Sequence, residues 1–174
     1  MINFTNINYE ILFVFDDESD PTIPIINQYM SDMNFKILIT DTHYPSMARN
    51  YGLKQAQGEY IWFVDGDDWL IYPEVVITSL QLLRNKDENL IQIKFVSNFF
   101  NMEHYSMVWQ YIFKKSFLDD IEFQNILHFE DNDFMQKVLK KNNSDSLIYL
   151  NIPCYFYNYR RPGSLTYNLW RGIE

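Results

Sequence analysis

Three carboxylates fall within four positions at Asp65-Gly66-Asp67-Asp68, directly after the apolar run Tyr60-Ile61-Trp62-Phe63-Val64. Like charges packed so closely are relieved by a cation or by a ligand that carries one. Hard oxygen donors of this kind suit Mg2+ or Mn2+, which keep several waters and bind through one or two carboxylates together with phosphates. Gly66 lets a ligand approach the backbone closely. On spacing alone the cluster reads equally as an acidic turn capping the next helix. Asp16 and Asp17 end a second apolar run, Ile11 to Phe15. Taken alone they read as the turn and cap of the following helix. If both runs are strands of one sheet, their acidic ends line one crevice.

Glu130 and Asp131 stand in His128-Phe129-Glu130-Asp131-Asn132-Asp133, at the front of a helical pattern. A plain cap accounts for acids there. The other reading is a general base, because the helix dipole helps keep such a carboxylate ionised. Arg49 lies near the start of a predicted helix, an unfavourable place for a cation, so it needs a partner: a structural acid or a ligand phosphate. Arg160 and Arg161, in the turn Arg160-Arg161-Pro162-Gly163-Ser164, suit either a diphosphate or plain surface. His43, His104 and His128 show no metal spacing, and Cys154 reads as core.

The elements that must position these groups follow from periodicity. Glu10 to Phe15, Phe35 to Ile39 and Tyr60 to Val64 read as strands, the first and last buried on both faces. Pro21 to Met33 has a helical period, with Pro21 in its first turn. Ser46 to Gln57 is predicted helical, with Met47, Ala48, Tyr51 and Ala56 inward and Gly58 as its stop. Pro73 to Asn85 is a further helix carrying Val75, Val76, Leu80 and Leu83 as its core stripe. Leu90 to Phe100 reads as one or two strands, and Met107 to Phe113 as a strand leading into a short helix. Asn132 to Asn142 is helical, with Phe134, Met135, Val138 and Leu139 inward. Ser146 to Tyr159 is strand-like and broken at Pro153. Strands alternating with helices make an α/β fold with a mainly parallel sheet and helices on its faces. No linker or repeat divides the chain, so residues 1–174 are expected to form a single domain.

The totals bound the partners. A hydrophobic content of 47% supports a sizeable core, and 21% charged residues excludes a disordered composition. A net charge of −9 argues against a nucleic-acid backbone as the main partner, since that needs a basic footprint. It leaves room for a small anion held by a few cations. Aromatics at 18% serve packing, and also suit platforms that stack bases or sugars. A lone cysteine, no apolar run near membrane-spanning length and no leader-like start give the expectation of a cytoplasmic protein.

Taken in order, the motifs resemble the nucleotide-sugar glycosyltransferases of family 2, with the GT-A fold. The resemblance is carried by Val14-Phe15-Asp16-Asp17-Glu18-Ser19-Asp20, by Ala48-Arg49-Asn50-Tyr51-Gly52-Leu53 with Ala56 and Gly58-Glu59-Tyr60-Ile61, and by Asp65-Gly66-Asp67-Asp68. Val108 to Leu118, Phe129-Glu130-Asp131 and Tyr155 to Ser164 continue it. It implies that Asp16 and Asp17 lie at the donor's base, and that Asp65 and Asp67 form an Asp-x-Asp motif. Asp67, with Asp65, would then bind Mn2+ or Mg2+, and Asp65 would lie near the ribose or sugar. Glu130-Asp131 would be the catalytic pair, with Asp131 as base, and Arg49 and Arg160 would help hold the nucleoside-diphosphate sugar. The acceptor would be a glycan, a lipid-linked carrier or a protein.

The family usually begins with a further strand and helix, where this chain has Met1 to Asn8. The resemblance therefore implies an N-terminally reduced fold and an exposed sheet edge, which favours a homodimer. Two other classes compete with the enzyme. One is a catalytically inactive GT-A-like binding domain. The other is an aspartate-nucleophile phosphatase, whose strand also ends in Asp-x-Asp but which needs a downstream lysine and paired acids not evident here.

Overall fold

The computed structural model describes residues 8–29, 34–83, 88–98, 107–126, 128–143, 147–159, 161, 162, 164, 167, 168 and 171. Two sheets result. Strands β1 (Ile11–Phe15) and β2 (Phe35–Ile39) pair in parallel, Ile11 against Phe35 through Phe15 against Ile39. The second sheet holds β3 (Tyr60–Trp62), β4 (Trp69–Leu70), β5 (Leu90–Ser97), β6 (Tyr111–Lys114) and β7 (Leu147–Tyr157), in the order β3-β6-β5-β7-β4. Its long ladder, β5 with β7, is parallel; the three shorter ones, β3–β6, β5–β6 and β4–β7, are antiparallel.

The helices are α1 (Ile23–Asn27), α2 (Pro45–Gln55), α3 (Pro73–Leu83) and α4 (Glu130–Asn142). Side chains alternate across a strand, so each strand serves two cores. Leu90, Tyr111 and Phe113 face Phe134, Met135 and Val138 of α4. Ile91, Ile93 and Ile112 face Val76 of α3 together with Trp109 and Tyr155. Helices therefore cover both faces of the large sheet.

Several expectations are met closely: β2 spans the expected Phe35 to Ile39, and α3 carries Val76 fully inward. Others change. The helix expected over Pro21 to Met33 is a five-residue turn, Ile23–Asn27, with no side-chain cap, while residues 30–33 lie outside the described set. β1 is half-buried along its whole length rather than enclosed on both faces, because among the described residues it pairs only with β2. β3 stops at Trp62, and Val64 is exposed, since the chain turns outward into the acidic turn. Leu139 of α4 is likewise exposed.

The segment before β6 is a 3-10 turn, Val108–Gln110, not a strand, and a second such turn, Lys115–Leu118, follows it. Pro153 does not break β7. It has no N–H to give the ladder, and the register with β5 slips on either side of Lys94, the residue it faces. The expectation of a missing first strand concerns Met1 to Asn8, of which residues 1–7 lie outside the described set. Among the described residues no helix is long and apolar enough to cross a membrane.

Candidate active site

α2 supplies the centre of the site. It starts on Pro45, whose fixed φ suits a first helical position. It packs so closely on β1 that a Cβ at Gly52 would stand 3.2 Å from Val14 Cγ2. Its buried face is polar: Ser46 and Asn50, rather than the Met47, Ala48 and Tyr51 expected, which are half-buried. Asn50 explains the exchange. Its amide donates to the Phe123 carbonyl at 2.8 Å and accepts the Phe123 N–H at 2.9 Å, pinning the helix to the segment before α4. Both of these buried backbone groups are thereby satisfied.

That pin sets Arg49 beside three acids. Its Nη1 donates to Glu130 Oε1 at 2.8 Å and Asp131 Oδ1 at 2.9 Å, and its Nη2 donates to Asp65 Oδ1 at 2.9 Å. The guanidinium also lies 5.6 Å from the centre of the Phe123 ring, which stacks on Phe134 of α4 at 3.9 Å. Arg49, Glu130 and Asp131 are about 15% exposed or less, so these pairs are poorly screened. One cation facing three carboxylates leaves the centre net negative, which favours a further cation. The acids hold Arg49 firmly protonated, raising its pKa against the effect of burial. Burial pushes the Asp131 carboxyl up to about 6; Arg49 pulls it down, while Asp65 and Glu130 push it further up. Its Oδ2 accepts the Val108 N–H at 3.4 Å.

The acidic turn is held from below and from β7. Phe63 packs edge-on against Phe113, Phe123 and Phe134, anchoring the exit from β3. The turn closes on itself through Asp68 N–H to the Asp65 carbonyl at 3.2 Å. Asp68 is committed to β7 and its continuation: Tyr155 Oη donates to its Oδ2 at 2.6 Å and the Asn158 N–H donates to its Oδ1 at 2.8 Å. Burial, with Asp65 and Asp67 nearby, pushes the Asp68 carboxyl up to about 6 despite those bonds. Asp67 receives Arg161 Nε on Oδ2 at 3.2 Å. Space at Gly66 is open, with nothing within 4 Å of an added Cβ.

Asp16 and Asp17 stand apart from this centre. They line an open cleft of about 740 Å³ with Thr40, Thr42 and Tyr51, at the C-terminal ends of β1 and β2, and that lining includes neither Asp65 nor Asp131. Asp17 Oδ1 accepts both the N–H and the hydroxyl of Ser19, which hold its carboxyl below the usual range. α2 borders both places, giving Met47, Asn50 and Tyr51 to the cleft and Arg49 to the acids.

The structure thus brings together Arg49, Asp65, Glu130 and Asp131, with Asp67 and Asp68 on the adjoining turn. Arg160 lies outside the described residues. Tyr155, Asn158 and Asn50 belong to the site through hydrogen bonds that the sequence pattern does not mark. Among the described residues no group of three or more His, Cys, Asp or Glu side chains forms a metal site. A divalent ion at Asp65 and Asp67 would therefore have to be held jointly with phosphate rather than by an all-protein cage. Arg161, a cation already resting on Asp67, agrees with that polarity.

Comparison with known proteins matches residues 1–150 to the family described as Glycosyl transferase family 2. The chain is 37% identical over 70 residues to the poly(ribitol-phosphate) beta-N-acetylglucosaminyltransferase TarS of Staphylococcus aureus, a stretch covering 39% of this chain and 12% of that protein. The crystal structure of S. aureus TarS 1–349 in complex with UDP-GlcNAc superposes with a TM-score of 0.75 at 23% identity, over 91% of this chain and 51% of that one. The mannosyltransferase PcManGT from Pyrobaculum calidifontis, in complex with GDP-Man and Mn2+, gives 0.67 at 15% identity, over 93% and 50%. This chain therefore spans only part of the length of these relatives. At such identities the structural likeness is one of fold, the GT-A fold. With the family matched over most of its length, this chain belongs to glycosyltransferase family 2.

Proposed function

We propose that this chain, acting as one domain, transfers a sugar from a nucleoside-diphosphate sugar to an acceptor hydroxyl with inversion. The observation that carries the reading is the Arg49 centre, which joins the acidic turn after β3 to the Glu130-Asp131 start of α4. Support comes from TarS solved with UDP-GlcNAc and PcManGT solved with GDP-Man and Mn2+.

In this reading Asp131 takes the proton from the acceptor hydroxyl as the oxygen attacks the anomeric carbon. The bond from that carbon to the diphosphate breaks, and the nucleoside diphosphate leaves with the electron pair. Arg49 holds Asp131 in place and favours its charged form at neutral pH, against burial and the neighbouring Asp65 and Glu130. Asp16 and Asp17 border the cleft that takes the base. Asp67, with Asp65, would hold Mn2+ or Mg2+, which would supply positive charge to neutralise the developing diphosphate. Arg161, beside Asp67, gives the diphosphate end a further cation, and its sequence neighbour Arg160 would help hold the donor.

A glycan, a lipid-linked carrier or a protein would be the acceptor; the net charge of −9 disfavours nucleic acid. A cytoplasmic setting fits the single free thiol, Cys154, and cell fractionation checks it. A homodimer through β1 is part of the same reading, because among the described residues β1 has a ladder on one side only. A monomer by light scattering at high concentration would remove it. Calorimetry with nucleoside diphosphates and Mn2+ tests the functional proposal: binding is expected, and none at millimolar ligand would sink it.

A further inference from the structure

One oxygen atom ties both ends of the acidic turn. The Tyr155 hydroxyl donates to Asp68 Oδ2 at 2.6 Å and accepts the Asp65 N–H at 3.1 Å. Between those residues lie Gly66, which has open space around it, and Asp67. A turn with an exposed glycine has little stiffness of its own. Apart from its own bond from the Asp68 N–H to the Asp65 carbonyl, its geometry is set by what holds its ends.

The Tyr155 ring gives that oxygen a fixed position. It is fully buried and lies flat on Trp109, with ring centres 4.6 Å apart and planes 6° apart. Trp109 also stacks on Tyr157, and its carbonyl accepts the Trp62 indole N–H at 2.9 Å. Phe95 closes on it edge-to-face at 4.9 Å. The hydroxyl thus stands on a rigid aromatic stack that spans the 3-10 turn before β6, β5 and β7. Asn158 completes the clamp, its N–H on Asp68 Oδ1 at 2.8 Å and its side-chain amide 3.4 Å from the Asp67 carbonyl. With both its oxygens used in this way, Asp68 is an anchor. Asp65 and Asp67 present their carboxylates instead to Arg49 and Arg161.

We propose that Tyr155 is a positioning residue for this turn, presetting the separation of the Asp65 and Asp67 carboxylates through the Tyr155–Asp68 clamp. The proposal rests on the glycosyltransferase reading for its ligand, a divalent cation held with a nucleoside diphosphate. Carboxylate ligands act well only when supporting groups lock their geometry. Without the hydroxyl, the Asp65 N–H and one Asp68 oxygen lose their partner, although the ring and its stack remain.

Tyr155→Phe is the direct test, with Tyr149→Phe on the same strand, exposed and away from the turn, as its control. Three quantities are measured on the full chain: affinity for Mn2+ in the presence of UDP by calorimetry, amide exchange at Asp65 by NMR, and Tm. In Tyr155→Phe we expect Mn2+–UDP affinity to fall roughly tenfold and exchange at Asp65 to accelerate at least about tenfold, at temperatures well below its Tm. Tyr149→Phe should match the unsubstituted chain in all three. Unchanged Mn2+–UDP affinity in Tyr155→Phe, whatever its Tm, would overturn the proposal, because a purely structural tyrosine predicts that result. Unchanged exchange at Asp65 would overturn it independently of any ligand. If the unsubstituted chain binds no Mn2+–UDP, the glycosyltransferase reading fails and this proposal fails with it.

Discussion

Arg49 Nη1 lies 2.9 Å from Asp131 Oδ1, joining two residues 82 positions apart. The same guanidinium reaches Asp65 from its other nitrogen at 2.9 Å. Removing it leaves three poorly exposed carboxylates facing one another. Arg49→Gln should therefore destabilise the chain by about 3–5 kcal/mol, as loss of one partner from a buried ionic cluster does. Arg49→Lys should restore only part of this, because an ammonium lacks the planar fork that bonds on two sides. Chemical denaturation measures both; equal stability of the Gln variant and the unsubstituted chain would contradict the assignment.

The pH dependence follows from Asp131. Its folded carboxyl is raised from 3.8 to about 6, chiefly by burial. The folded state then binds this proton more tightly than the unfolded state. The sign is that Asp131 favours folding at low pH and loses this contribution as pH rises through its folded value. The total is about 3 kcal/mol between the two plateaus. Relative to Asp131→Asn, the unsubstituted chain should lose stability by about that amount between about pH 3 and pH 8. A pH-independent difference would count against it.

The same shift predicts an acid limb in turnover. A base must be ionised, so kcat/KM should rise through a pH of about 6. Weakening the neighbouring cation with Arg49→Lys should move that limb upward, since Arg49 is the main group that lowers the Asp131 value. A limb that stays in place would detach Asp131 from the proton transfer.

Asn50 offers a test of the scaffold alone. Asn50→Ala strips partners from a buried N–H and a buried carbonyl of Phe123, at about 1–3 kcal/mol for each group left unsatisfied. It should lower Tm and loosen the Arg49 centre together. A Tm within a degree or so of the unsubstituted chain would show that Asn50 does not pin α2.

Phe129 has φ +64° and is 75% exposed, so its backbone carries left-handed strain with little burial in return. Phe129→Gly should be neutral to stabilising by up to about 1 kcal/mol. A clear loss in thermal denaturation would mean that the ring has contacts of its own.

The acids were legible in the sequence because their partners are charged and their spacing is short. The strand end at Phe15, the Arg49 position and the acids at the front of the late helix follow from local pattern, whereas the strand expected to reach Val64 stops at Trp62 and the helix expected from Asn132 starts at Glu130. What joins them was not legible. Asn50 works by imitating backbone hydrogen bonds, which leaves no periodic trace. Tyr155 looks like any aromatic strand residue until its hydroxyl is found between Asp65 and Asp68. Pairing was hidden too: β5 beside β7, and β6 between β3 and β5, are long-range choices that alternation alone does not fix. The 3-10 turn at Val108–Gln110 reads as strand because Val108 and Trp109 are apolar and large; from that turn the Trp109 ring stacks on Tyr155.

The most direct test is donor hydrolysis, followed over a panel of nucleotide sugars with Mn2+, for the unsubstituted chain and for Asp67→Ala. The account predicts release of nucleoside diphosphate from at least one donor, and a loss of about 100-fold or more in Asp67→Ala, the order expected when a transition-state charge loses its stabilising group. Equal rates in the two, or no hydrolysis of any donor by the unsubstituted chain, would contradict it.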